Sequence, residues 1–176
     1  LAFDLPGRFP LVRCRACGLM YLRERPSPAS IGRYYPPEYL PYRTAIQDER
    51  RALLRWARRR NVARRRRIVE DHSRRVPGRI LDVGCSTGIF LDEMRRAGWD
   101  TVGIELSAGA VEYARQRFGL EVIQGQLLET GLPPGGFHAV TFWDVLEHTF
   151  DPSASLREAN RLLAPGGVAA FTLPHW

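Results

Sequence analysis

Ile80-Leu81-Asp82-Val83-Gly84-Cys85-Ser86-Thr87-Gly88 decides how the rest of the chain is read. A short apolar run ends in a loop with glycine at its first and last positions. A strand that enters such a loop and leaves it into an amphipathic stretch opens a βα unit. The stretch that follows carries Phe90, Leu91, Met94 and Ala97 on one helical face, and Gly98 stops it. Thr101-Val102-Gly103-Ile104 predicts the second strand, which ends at Glu105. Ser107 is the expected N-cap of the next helix, with Val111, Ala114 and Phe118 inward and Gly119 as its stop. Val122-Ile123 centres a third strand, and Ala139-Val140-Thr141-Phe142-Trp143 is a fourth. Asp151-Pro152 supplies an N-cap and a first-turn proline for a helix facing inward with Leu156, Ala159, Leu162 and Leu163. Pro165-Gly166-Gly167 is expected to break it before a fifth strand, Val168-Ala169-Ala170-Phe171-Thr172-Leu173. Three βα units and two further strands predict an α/β fold, a Rossmann-like, doubly wound and mostly parallel sheet.

Composition divides the 176 residues into three segments: 1–46, rich in Pro and Tyr; 47–77, without Gly or Pro until Pro77 and read as helix; and 78–176, the α/β domain. The net charge of +7 is local, and every basic residue is Arg. Residues 50–67 hold ten Arg and no acid, whereas from residue 78 onward seven Arg face 12 acids, a balance of −5. This argues against a nucleic-acid-coated protein, although one arginine helix could touch an anionic partner. No apolar run reaches the roughly 18 residues that span a bilayer. The start, Leu1-Ala2-Phe3-Asp4, shows no basic-then-apolar leader. Three cysteines cannot build a disulfide framework. A cytoplasmic protein is expected, and membrane, secreted and disordered classes are excluded.

In sheets of this kind ligands bind beyond the carboxyl ends of the strands, near the switch in strand order. Gly84 and Gly88 permit a tight turn and close approach of a ligand, with a helix N-terminus behind them. Glu105, 17 residues after Gly88 at the tip of the second strand, can accept both hydroxyls of a ribose. A dinucleotide fingerprint would place glycine where Ser86 stands, and Asp82 would repel a pyrophosphate. Beside an α-ammonium group the same carboxylate is attractive. The residues favour an amino-acid-bearing nucleoside over NAD.

The set Ile80–Gly88, Gly103-Ile104-Glu105-Leu106-Ser107, Phe137-His138-Ala139-Val140, Asp144-Val145-Leu146-Glu147-His148, Asp151-Pro152 and Arg161-Leu162-Leu163-Ala164-Pro165-Gly166-Gly167 resembles the class I S-adenosylmethionine-dependent methyltransferases, in the branch of the ubiquinone and sugar enzymes. The resemblance covers about residues 79–174. It implies that Asp82, Gly84, Cys85 and Ser86 line the methionine part of S-adenosylmethionine, with Gly88 also among the cofactor-binding residues. Glu105 would hold the ribose, Leu106 would lie against the adenine, and Gly125, Gln126 and Leu127 would edge it. Trp143 and Asp144 would stand next to the sulfonium methyl. The product would be S-adenosylhomocysteine. Methyl transfer to oxygen or carbon of a small-molecule acceptor (a sugar, a quinone or another secondary metabolite) follows, with the protein aligning the reactants. His148 is the candidate base, with Asp144 beside it, because imidazole titrates near neutrality. The alternative is that Glu147 and His148 brace the loop; no metal is assigned to them.

Cys14-Arg15-Ala16-Cys17-Gly18 has the spacing of one zinc knuckle, half of a zinc ribbon, so zinc is expected only if an upstream Cys pair completes four ligands. The family's sheet has seven strands and five are legible here, so the resemblance implies a chain trimmed at both ends. Tyr34, Tyr35 and Tyr39 either fold over the cofactor mouth or pack the amino-terminal segment. An RNA methyltransferase, suggested by the half-knuckle and the arginine helix, is disfavoured. Base amino methylation places Asn/Asp-Pro-Pro-Tyr/Phe where this chain reads Asp144-Val145-Leu146-Glu147. A non-catalytic cofactor-binding fragment stays open, as does the oligomeric state.

Overall fold

The computed structural model describes residues 8–27, 30–34, 50–73 and 77–174. The chain divides into two compact units, Leu1–Tyr39 and Leu40–Trp176.

In the first unit, β1 (Leu11–Arg13) pairs antiparallel with β2 (Met20–Leu22). The Cys14–Gly18 turn joins them, closed by Cys14 N–H on the Leu19 carbonyl (2.8 Å) and Gly18 N–H on that of Cys14 (3.0 Å). Backbone N–H groups of Cys17 and then Ala16, aimed at the Cys14 thiol, hold it below its usual range. Among the described residues no three His, Cys, Asp or Glu side chains gather as a metal site. Tyr34 sits edge-on to Phe9, at 5.5 Å between ring centres; Tyr35 and Tyr39 lie outside the described residues.

The first described element of the second unit is α1 (Ala52–His72), the arginine segment, within the predicted 47–75. Positions 47–49 and 74–75 lie outside the described residues. Three compositional segments thus become two compact units, because α1 packs into the α/β core. Val69 is fully buried in one core cluster, and Val62 and Ile68 lie against the same cluster. Then follow β3 (Arg79–Val83), α2 (Ile89–Arg96), β4 (Asp100–Glu105), α3 (Ala108–Phe118), β5 (Glu121–Gln124), β6 (Phe137–Trp143), α4 (Pro152–Leu162) and β7 (Leu163–Thr172). The sheet order is β5-β4-β3-β6-β7, every pair parallel. The chain winds outward from β3 on one side and then returns to β6 on the other, so the switch in order lies between β3 and β6.

Strand periodicity separates two cores. Ile80, Ala139 and Trp143 face α1, α2 and α3; Leu81, Val83, Val102, Val140 and Phe142 face α4. Asp82 shares the parity of Ile80, and so lies on the face that α1 covers. The predicted caps form. The Ser107 hydroxyl accepts from Ala110 N–H and the Asp151 carboxylate from Ala154 N–H. Around α4 the structure departs from expectation twice. The buried face is Ser155, Ala159 and Leu162, leaving Leu156 exposed. The helix also ends at Leu162 rather than at Pro165. Leu163 already pairs with Phe137, and Pro165-Gly166-Gly167 is absorbed as a bulge before Val168 pairs with Ala139. Among the described residues no helix is long and apolar enough to cross a membrane.

Candidate functional site

The carboxyl ends of the strands set the candidate residues in a row. Register places Glu105 opposite Gln124, Val83 between Ile104 and Phe142, and Trp143 opposite Thr172. From β5 to β6 the row spans three strand spacings, roughly 14 Å, the reach of an extended nucleoside carrying an amino-acid arm.

At one end Glu105 is buried and holds two backbone donors. Oε2 accepts from Ser86 N–H and Oε1 from Ser107 N–H, each at 2.9 Å. One carboxylate therefore ties the loop after β3 to the first turn of α3, and Ser86 stays in the left-handed region at φ 50°. Each oxygen keeps capacity for another donor, such as a ribose hydroxyl. Leu106 is 63% exposed beside it and offers an apolar wall. Gly125 N–H bonds the Glu105 carbonyl at 3.0 Å. Gln126 is exposed, its amide donating to Glu129 at 3.2 Å and leaving its carbonyl oxygen outward-capable, whereas Leu127 is buried in the α4-side core.

The loop glycines serve packing as well as any ligand. At Gly84 (φ +72°) a Cβ would meet Val145 Cγ2 at 2.5 Å, and at Gly88 (φ +78°) it would meet Leu120 Cδ1 at 2.5 Å. Cys85 turns its thiol inward, against Gly103 and the core, so at that position the backbone is what can face a ligand. Burial pushes the thiol well up, and Asp82 and Glu105 add to this.

Asp82 sits mid-row and almost without solvent. Its Oδ1 accepts from the Thr141 hydroxyl at 2.6 Å, and among the described residues no donor reaches its other oxygen. Burial pushes its pKa up to about 7, with Glu105 adding to the rise, against the Thr141 hydrogen bond and the Arg65 charge. A buried carboxylate one partner short fits an ammonium group.

The other end is built differently. Asp144, directly after β6, takes φ +60° and is exposed. The Thr172 hydroxyl accepts from its N–H (2.9 Å) and donates to its Oδ1 (2.7 Å), while Arg65 from α1 pairs with Oδ2 at 2.7 Å. The Arg65 guanidinium also stands over the Trp143 ring, 5.1 Å from its centre. Trp143 meets Phe90 edge-on at 5.4 Å, and its buried indole N–H has no partner. A cleft of about 260 Å³ opens here, between the Asn61, Arg64, Arg65 and Ile68 face of α1 and the strand ends at Trp143, Asp144 and Thr172. His148 closes a short 3-10 turn, Leu146–His148, with its ring exposed and its N–H on the Val145 carbonyl at 2.9 Å.

Asp82, Gly84, Ser86, Glu105, Trp143 and Asp144 therefore stand in one row along the carboxyl ends of the strands, with Gly125 and Gln126 at its β5 end, and of these Trp143 and Asp144 line the cleft. Arg65, Thr141 and Thr172 bond to members of this row and were not singled out from the sequence. Arg65 is one of ten arginines in its segment; the Thr141 hydroxyl could have been noticed from strand parity opposite Asp82.

The family described as a methyltransferase domain matches residues 53–175. The ubiquinone biosynthesis O-methyltransferase of Methylococcus capsulatus is 33% identical over 114 residues, which cover 61% of this chain and 48% of that protein. This chain spans about half the length of the curated relatives it matches. Among solved structures, the PH0226 protein of Pyrococcus horikoshii superposes with a TM-score of 0.59 at 23% identity, over 80% of this chain and 66% of its own. The sugar N-methyltransferase KedS8 of a Streptoalloteichus species gives 0.57 at 25% identity, over 72% and 54%. The fold, the row of acids along its strand ends and the family match agree, and the chain belongs to the class I S-adenosylmethionine-dependent methyltransferases.

Proposed function

We propose that the second unit binds S-adenosylmethionine and transfers its methyl group to oxygen or carbon of a small acceptor. The observation that carries this is Asp82, a buried carboxylate lacking one partner, set in the row between Glu105 and Trp143. Glu105 would hold the ribose hydroxyls, and Leu106 and Gln126 the adenine. Asp82 would take the ammonium group. Arg65 lies close enough to Asp82 to act on its charge, which suits it to the carboxylate on the same carbon. The cofactor supplies an activated methyl group, so the protein's part is to align, to exclude water and to take up a proton. Asp144 and His148 are the candidates for the proton. Curated relatives named as ubiquinone biosynthesis O-methyltransferases support oxygen as the acceptor atom. Cys14 and Cys17 would hold zinc only with two ligands from elsewhere.

Calorimetric titration of S-adenosylhomocysteine tests the reading. Micromolar binding that collapses in Glu105→Ala is expected; a folded chain that binds none sinks it.

A further inference from the structure

The arginines of α1 are not equivalent. Arg66 has Glu70 one turn on and Glu93 across the interface, and Arg65 has Asp144. Arg64 has neither kind of partner. Its helical neighbours at three and four residues are Arg60, Asn61, Arg67 and Ile68, so no acid on the helix can neutralise it. Among the described residues neither Arg64 nor Asn61 makes an ion pair or side-chain hydrogen bond. Consecutive residues on a helix diverge by about 100°, so Arg64 and Arg65 flank the cleft rather than duplicate each other.

That cleft is concave and built for something polar at one wall. Asn61, Arg64 and Ile68 share one stripe of α1, opposite Trp143 and Thr172. Trp143 is only 7% exposed, yet its indole N–H is unpartnered. The acid within reach, Asp144, already serves Arg65 and Thr172. An unneutralised guanidinium and a free amide on one stripe beside a small cavity are both able to donate, and they suit an acceptor of hydrogen bonds with negative charge.

We infer that the cleft selects a methyl acceptor carrying an oxyanion, a phosphate or a carboxylate, which Arg64 and Asn61 hold beside the transfer position. The inference rests on the methyltransferase reading and deepens it by naming the substrate class. Arg64 is a specificity residue in this scheme, and the cofactor contacts do not involve it. Phosphate and carboxylate share the recognising chemistry, so both are probed.

The full chain, free and saturated with S-adenosylhomocysteine, is titrated with inorganic pyrophosphate and separately with benzoate at fixed ionic strength. One probe or both should bind; the one that does identifies the oxyanion. Arg64→Gln should weaken that binding at least tenfold, about the loss of one charge-assisted hydrogen bond, and Asn61→Ala by about two- to fivefold. S-adenosylhomocysteine affinity should stay unchanged in both variants. Arg67→Gln, which removes the same charge beside Glu70 and Asp71 on the other flank, should leave probe binding within about twofold. Binding of neither probe, or equal weakening by Arg64→Gln and Arg67→Gln, overturns the proposal. Failure of S-adenosylhomocysteine alone sinks the cofactor reading instead, since the free chain still reports on the oxyanion site.

Discussion

The two ends of the row are made by different means. At the Glu105 end a single buried side chain bonds the backbone of residues 86 and 107, which are 19 and 2 residues away. At the Asp144 end the partners are 79 and 28 residues away, and the acid they hold is exposed. The first end is assembled by local βα geometry and doubles as a staple of the fold. The second depends on where α1 and β7 happen to pack, and the fold does not lean on it. Stability and ligand contact are coupled at one end and separable at the other.

Glu105→Ala breaks the stapled end and should have the largest effect. Two backbone N–H groups lose their acceptor, costing about 2–4 kcal/mol, and S-adenosylhomocysteine binding should vanish. Urea unfolding beside calorimetry checks both, and Glu105→Gln should recover part of the stability. Asp82→Asn should split the two quantities in opposite directions. Unfolded, Asp82 titrates at its ordinary 3.8; folded, at about 7. Between those values the unfolded state releases a proton that the folded state keeps, so stability falls as pH climbs from about 4 to 7 and is flat above. Asn removes that slope and should stabilise the protein at pH 8 by on the order of 3 kcal/mol, while weakening S-adenosylhomocysteine. In the parent chain, affinity should rise with pH up to about 7, because an ammonium beside Asp82 favours its ionised form. Calorimetry in buffers of different ionisation enthalpy should show proton release.

Gly84→Ala should cost about 2 kcal/mol, from the positive φ and the Val145 contact. Val145→Ala in the same chain should return the steric part, and a double-mutant cycle measures it. The smallest stability effect belongs to the other end. Asp144→Asn should change unfolding by less than about 1 kcal/mol, as ion pairs with an exposed partner do. If Asp144→Asn instead unfolds the protein as Glu105→Ala does, the contrast between the ends is wrong.

The same contrast sets what could be read from the sequence. The strands of the α/β unit, the caps Ser107 and Asp151, the loop glycines and Glu105 are local features, and short apolar runs and turn chemistry expose them. The α4 face departs from expectation because Leu156 outranks Ser155 in hydrophobicity, whereas packing against the strands buries Ser155. Pro165-Gly166-Gly167 looked like a helix stop, and parallel pairing with β6 converted it into a bulge. Arg65 was invisible for another reason. Ten similar arginines differ only in direction, and Val69, buried under the sheet face, sets the rotation of α1 that brings Arg65 to Trp143.

The 2.5 Å gap between a Cβ on Gly84 and Val145 makes the loops after β3 and β6 mesh like adjacent teeth of one gear. These loops bound the switch point on either side. The spacing of the two loops is therefore gauged by one absent methyl group. A bulkier residue at Gly84 would first have to displace the Val145 side chain, so the two loops are expected to change together.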